Sequence, residues 1–258
     1  MAAASARQRV SAFFALGLVL GFTGGALLLL ESHCRAFERS ALRDFRVVAF
    51  LKPGLSGSAL KVEEERLGCL PGVEEARSVS SDASLGALRR EDPELFDSVA
   101  LVGENPLPPA VELQLDSDGV ARVPQLVAEA FASQEVSDVR YPGGQAAAIL
   151  HARFYGHFVG VAVNAALTAA ALSILGGLWL GRGAAWPETI WTGVGALLGQ
   201  AAAVLLALPM RAHALWWDVP RGSQALLWVA ACAGAAWALS ASSKGRPPVA
   251  KDGEDVPA

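Results

Sequence analysis

Four histidines and three cysteines are the residues best suited to metal or redox chemistry in this chain. His33, His151, His157 and His213 do not fall at metal-ligand spacing with one another or with the cysteines. No Gly-Lys-Ser/Thr loop is present to cradle a nucleotide phosphate, so the chain is not itself an ATPase. No nucleophile and base stand in a recognisable arrangement. The residues therefore point away from catalysis, and no metal or cofactor is expected in this chain. Cys34 and Cys69 fall in one polar segment and could be bridged outside the cytoplasm, where disulfides form. Cys232 lies in an apolar run and reads as inert packing. The acidic run Lys61–Arg66 reads as a solvated helix face.

The arrangement of charge shows which elements carry these residues. The 258 residues are 53% hydrophobic and only 18% charged, against roughly 25% charged in soluble domains. The charge is also uneven: the segment 31–157 holds 13 basic and 20 acidic residues. Four apolar blocks lie around it, at 10–30, 158–180, 190–209 and 224–241. A membrane-crossing helix needs roughly 20 apolar residues, so four spans are expected. The first block is longer than a signal-peptide core, and Glu31-Ser32-His33-Cys34 offers no clean cleavage site, so it reads as an uncleaved anchor.

Basic residues orient these spans. Arg7, Arg9, Arg182, Lys244, Arg246 and Lys251 fall on one side, and Arg211 and Arg221 on the other. The tail 1–9, the loop 181–189 and the disordered tail 242–258 are expected in the cytoplasm, with the loop 210–223 and the domain 31–157 outside it. His151, Arg153, Tyr155, His157, Trp179, Trp186, Trp216 and Trp217 sit at span ends and read as interfacial anchors.

Within the polar segment, Phe45–Leu51 alternates as a strand and stops at Pro53-Gly54. Ser58–Leu70 has helical spacing and stops at Pro71-Gly72. Val73–Ser80 is a second strand. Short helices follow, one capped by Ser81 or Asp82 and one starting at Pro93. Val111–Leu115 is a third strand, Val123–Ala132 a helix and Val136–Tyr141 a fourth strand. The expected fold is an α+β, ferredoxin-like split βαβ domain attached to four transmembrane helices.

In the insert, Leu95, Phe96, Val99, Leu101 and Val102 are too apolar for one solvated helix. Either they pack on the sheet, or Phe96 and its neighbours form a patch for a partner helix. Asn105-Pro106-Leu107-Pro108 fixes a turn, because each proline locks its own φ and biases the residue before it. Gly17, Gly21 and Gly25 repeat every four residues, a spacing that lets helices approach closely. A homodimer seam is expected there. Asn164 and Gln200 are the strongly polar side chains of the spans and are assigned to hydrogen bonds between helices.

The layout of one span, a large outside domain and three further spans resembles the FtsX family, permease-like subunits of a cell-division ABC complex. The local resemblance lies in Glu94–Leu115, with its leucine-containing helix, Asn105-Pro106-Leu107-Pro108 and strand. It extends to Val47–Pro53, to Pro71–Ser80 and to Tyr141-Pro142-Gly143-Gly144. The resemblance implies a subunit of the bacterial cytoplasmic membrane that moves no substrate and acts at the division site. It also implies a cytoplasmic FtsE-like ATPase, which binds the ATP, and a peptidoglycan hydrolase or its adaptor as the outside partner. One departure stands out: Gly181–Thr189 is much shorter than the charged connection on which the family's ATPase docks. That keeps open a structural or sensory division protein uncoupled from any ATPase. A small-solute permease is a third reading, for which only Asn164 and Gln200 offer polar groups.

Overall fold

A computed structural model describes residues 2–100, 105–179, 186–211 and 220–243. The chain divides into two units, Met1–Cys34 with Tyr155–Ala258, and Arg35–Phe154.

The element order is α1 (Ala2–Asp44), β1 (Arg46–Leu51), α2 (Gly57–Gly68), β2 (Val73–Val79), α3 (Ser81–Glu91), α4 (Pro93–Ala100), β3 (Ala110–Leu115), α5 (Ser117–Ala121), α6 (Val123–Ala130), β4 (Val136–Arg140), α7 (Gly143–Trp179), α8 (Trp186–Arg211) and α9 (Gly222–Ser243). Two helices reach well past the apolar blocks. α1 continues through the polar residues 31–44, and α7 begins at Gly143, far ahead of Phe158.

In the polar unit the sheet order is β2-β3-β1-β4. Every neighbouring pair is antiparallel, with Val47 opposite Leu113, Ala49 opposite Val139 and Ala76 opposite Leu113. Strands β1 and β2 are both antiparallel to β3, so they run parallel to each other with α2 crossing between them. Likewise β3 and β4 run parallel, connected through α5 and α6. The two crossovers are interleaved in one sheet.

Alternation along each strand selects the core. Val47, Ala49 and Leu51 of β1 and Val111, Leu113 and Leu115 of β3 are fully buried. Leu67 of α2, Val123, Leu126 and Ala130 of α6, and Val120 of α5 close over them. Phe45 is also fully buried, and Ala146 and Ile149 at the start of α7 join the same core. The helical ends of α1 and α7 are therefore built into this domain. Gln145 Nε2 of α7 donates to the Ala41 carbonyl of α1 at 2.9 Å.

In the other unit, parts of α1 and α7 join α8 and α9. All four helices are long and apolar enough to cross a membrane. Leu28, Val159, Val163, Ala196, Trp228 and Cys232 form its buried cluster.

Candidate functional site

The helical insert between β2 and β3 is built by two local signals. The Ser80 hydroxyl accepts from Ala83 N at 3.2 Å and caps α3. Pro93 opens α4, where its missing N–H costs nothing. Among the described residues of α3 and α4, none is fully buried and none joins the core of the sheet domain. Phe96 is half-buried, with the Arg89 guanidinium carbon 5.4 Å from its ring centroid. That is cation–π range, and it leaves the aromatic side chain at the surface of a two-helix projection. Leu101 and Val102 lie outside the described residues, as do the side chains of Leu95 and Val99.

The insert returns to the sheet through Asn105-Pro106-Leu107-Pro108. The Asn105 carboxamide oxygen accepts from Leu107 N at 3.1 Å, an Asx turn. Pro109 O then accepts from Leu51 N at 2.8 Å, which ties the turn to β1.

The base of the domain holds contacts that sequence patterning did not assign. Arg153, expected as an interfacial anchor, instead grips α5. Its Nη1 donates to Ser117 O and its Nη2 to Asp118 Oδ1, each at 2.7 Å. The arginine holds the Asp118 carboxyl below its ordinary value, first through the hydrogen bond and then through its charge. Asp116 caps α5, accepting from Asp118 N at 2.9 Å and Gly119 N at 2.6 Å. Gly72 (φ +89°) ends the α2 connection in the left-handed region and packs backbone to backbone on Gly119. A Cβ on Gly72 would stand 2.5 Å from Gly119 Cα, so only glycine fits.

The acidic run on α2 is also more than a solvated face. Glu63 is buried and accepts from Arg66 Nε at 2.7 Å and from the Ser133 hydroxyl at 2.9 Å. Arg66 Nη2 donates to Ala130 O at 3.2 Å, satisfying a carbonyl at the C-terminus of α6. Glu64 accepts from Ser78 Oγ at 2.7 Å, joining α2 to β2. Because Glu63 and Arg66 face α6, a count of polar residues along α2 misreads the side they occupy.

In the membrane-type unit the glycine stripe is taken up within the chain. A Cβ at Gly17 would stand 2.9 Å from Thr192 Cα, and one at Gly21 2.5 Å from Ala196 Cα. Gly195 and Gly199 answer from α8, where a Cβ would meet Leu18 N at 2.9 Å and Phe22 N at 2.5 Å. Gly25 faces Gln200 and Ala203. The seam expected to join two copies at Gly17, Gly21 and Gly25 is thus the α1–α8 contact of one copy. Sequence spacing shows that a helix face is flat but not which helix lies on it. Thr192, fully buried, donates to Phe13 O at 3.2 Å and to Glu188 O at 2.8 Å. Gln200 Nε2 donates to Ala225 O of α9 at 3.2 Å, and Trp228 Nε1 of α9 to Leu20 O of α1 at 3.1 Å. Asn164 is exposed on α7.

Cys69 is an exposed thiol at the end of α2, and Cys34 is buried on α1, its Cβ beside Gly156. Of the expected loop 181–189, residues 181–185 lie outside the described residues, and Trp186–Thr189 form the first turn of α8. His213, Trp216 and Trp217 also lie outside them. Among the described residues, no three His, Cys, Asp or Glu side chains converge to hold a metal.

Residues 44–152 match the family model described as the FtsX extracellular domain. A search of curated proteins returns no match. Two solved structures of Streptococcus pneumoniae FtsX are similar. One is extracellular domain 1 in complex with undecyl-maltoside, at 15% identity and a TM-score of 0.30, covering 37% of this chain and 92% of that one. The other is the solution structure of the large extracellular loop, at 15% identity and a TM-score of 0.30, covering 38% of this chain and 98% of that one.

Proposed function

We propose that this chain, whose residues 44–152 match the FtsX extracellular-domain family model, is a cell-division ABC-transporter-like membrane component that works as a non-transporting, non-catalytic transducer. In this reading an FtsE-like ATPase binds and hydrolyses ATP in the cytoplasm. The spans pass the resulting motion to the polar domain, which recruits or activates a peptidoglycan hydrolase or its adaptor at the division site. The interleaved crossovers of β1–β2 and β3–β4 support a ferredoxin-like, split βαβ assignment for that domain. The excess of basic residues at 1–9, 181–189 and 242–258 supports a cytoplasmic side for both termini.

The observation that carries the reading is the α3–α4 insert. It projects a half-buried Phe96 while none of its described residues enters the core. An aromatic ring held at the surface, outside the core, suits a partner contact. A partner helix laid on this patch would bury Phe96 with its neighbours and displace Arg89 to the rim. Phe96→Asp in the full chain is expected to abolish capture of the hydrolase or adaptor while the folded protein is retained. Capture at wild-type strength would remove the insert from the account.

A second reading, a structural or sensory division protein without an ATPase, is favoured by one feature, the brevity of Gly181–Thr189. Gene neighbourhood separates the two: the transducer reading expects an ATPase gene next to this one, and the second reading expects none.

A further inference from the structure

We propose that the first turns of α1, at Arg7 and Arg9, hold the ATPase of the transducer reading, in place of the shortened connection at 181–189. The inference rests on that reading and deepens it. It starts from the register of the glycine seam. Gly17 packs on Thr192, Gly21 on Ala196 and Gly25 on Gln200. The residue numbers rise together, so α1 and α8 run parallel. Trp186, the first residue of α8, is therefore level with Ser11 of α1. α1 itself begins at Ala2, so residues 2–10 run on past the start of α8 by about 13 Å. The segment expected as a cytoplasmic tail is thus the opening length of α1. That length is built onto a fixed seam. Phe13 O accepts from Thr192 Oγ1 at 3.2 Å, and the Phe14 and Trp191 rings meet edge to face at 6.1 Å. A load on the overhang is therefore borne by α8 as well as α1.

The chemistry of the overhang selects its occupant. Among the described residues at this end of the four helices, Arg7, Arg9 and Glu188 carry the charge. Glu188 is half-buried in the first turn of α8, whereas Arg7, Gln8 and Arg9 are exposed. Neither arginine makes an ion pair or a side-chain hydrogen bond among the described residues. At about 100° per residue, Arg7 and Arg9 stand on either side of the Gly17–Gly21 stripe that α8 covers higher up. No described element covers their side of the helix below the start of α8. A partner entering the lane that α8 leaves there meets a cation on each flank. The fitting surface is an ATPase cleft lined with Asp and Glu, because a guanidinium grips a carboxylate through two parallel N–H bonds. Anionic lipid headgroups are the competing occupant.

The test co-expresses the full chain with its candidate ATPase and measures the ATPase retained on the chain in mild detergent. Arg7→Ala with Arg9→Ala is expected to lower retention about tenfold or more, as for charge pairs truncated at an interface. Arg7→Glu with Arg9→Glu is expected to abolish it. Orientation is checked on whole cells with a membrane-impermeant maleimide on the exposed thiol of Cys69, whose labelling should match wild type in the alanine pair. If wild type retains the ATPase and the alanine pair retains it equally, the docking inference is wrong while the transducer reading stands. That is also the result expected if the arginines serve only lipid headgroups, since detergent replaces the bilayer. If wild type itself retains no ATPase, the transducer reading falls and the inference with it.

Discussion

Arg153 and Asp118 fasten the start of α7 to α5, with Nη2 2.7 Å from Oδ1 and a second guanidinium nitrogen on the Ser117 carbonyl. The fastening matters because α5 rests on Gly72 through Gly119, and Gly72 opens β2, the strand that leads into the α3–α4 insert. Asp118→Asn removes the charge but leaves the carbonyl contact, whereas Arg153→Ala removes both, so Arg153→Ala is expected to be the more destabilising. Both partners are partly solvent-exposed, which keeps the effect small. The folded carboxyl titrates below its ordinary value of 3.8. Its contribution is therefore complete above that value and fades as the pH falls through the lower, folded one. Thermal melts of wild type and Asp118→Asn should differ at neutral pH and converge in acid.

Arg66→Ala is expected to cost about 1–3 kcal/mol, because it leaves the Glu63 carboxylate buried without its cation and uncovers the last carbonyls of α6. Chemical denaturation of the full chain, followed by a signal from the sheet domain, measures this. Lys61→Ala, at an exposed position on the same helix, is the comparison and should lie within about 0.5 kcal/mol of wild type.

Gly199→Leu is expected to force α1 and α8 apart, since even a Cβ at Gly199 meets the Phe22 amide and the Gly21 backbone. Overpacking of this kind costs about 1–3 kcal/mol or more. Gly176→Leu meets open space and should leave the melting temperature in detergent unchanged. Equal melting temperatures for Gly199→Leu and wild type would show that the α1–α8 contact is not as close as described.

Much of the sheet domain was legible in advance because its strands alternate cleanly and its turns carry Pro-Gly pairs. Phe45–Leu51, Val73–Ser80, Val111–Leu115 and Val136–Tyr141 all fall on observed strands, within a residue at each end. The helical reach of α1 through residues 31–44 was not legible. Its charges make the segment look like a linker, and the few apolar residues that hold it, Ala41 and Leu42, gain meaning only beside the core they join. The five-residue α5 was missed for a different reason: it has no hydrophobic period and is announced only by Asp116 two and three residues before the amides it caps. Glu63, Arg66 and Arg153 were misread because residue type does not reveal which neighbour a charge meets. The partner of the glycine stripe was hidden for the same reason, as nothing in Gly17-x₃-Gly21-x₃-Gly25 distinguishes α8 of the same chain from α1 of another.

Coupling to a cytoplasmic ATPase, as proposed, is measured most directly by co-purification of the full-length chain with its candidate FtsE-like ATPase in mild detergent. The ATPase is expected to be retained through size exclusion in a fixed ratio to this chain. Elution of the intact, folded chain without any ATPase would contradict it.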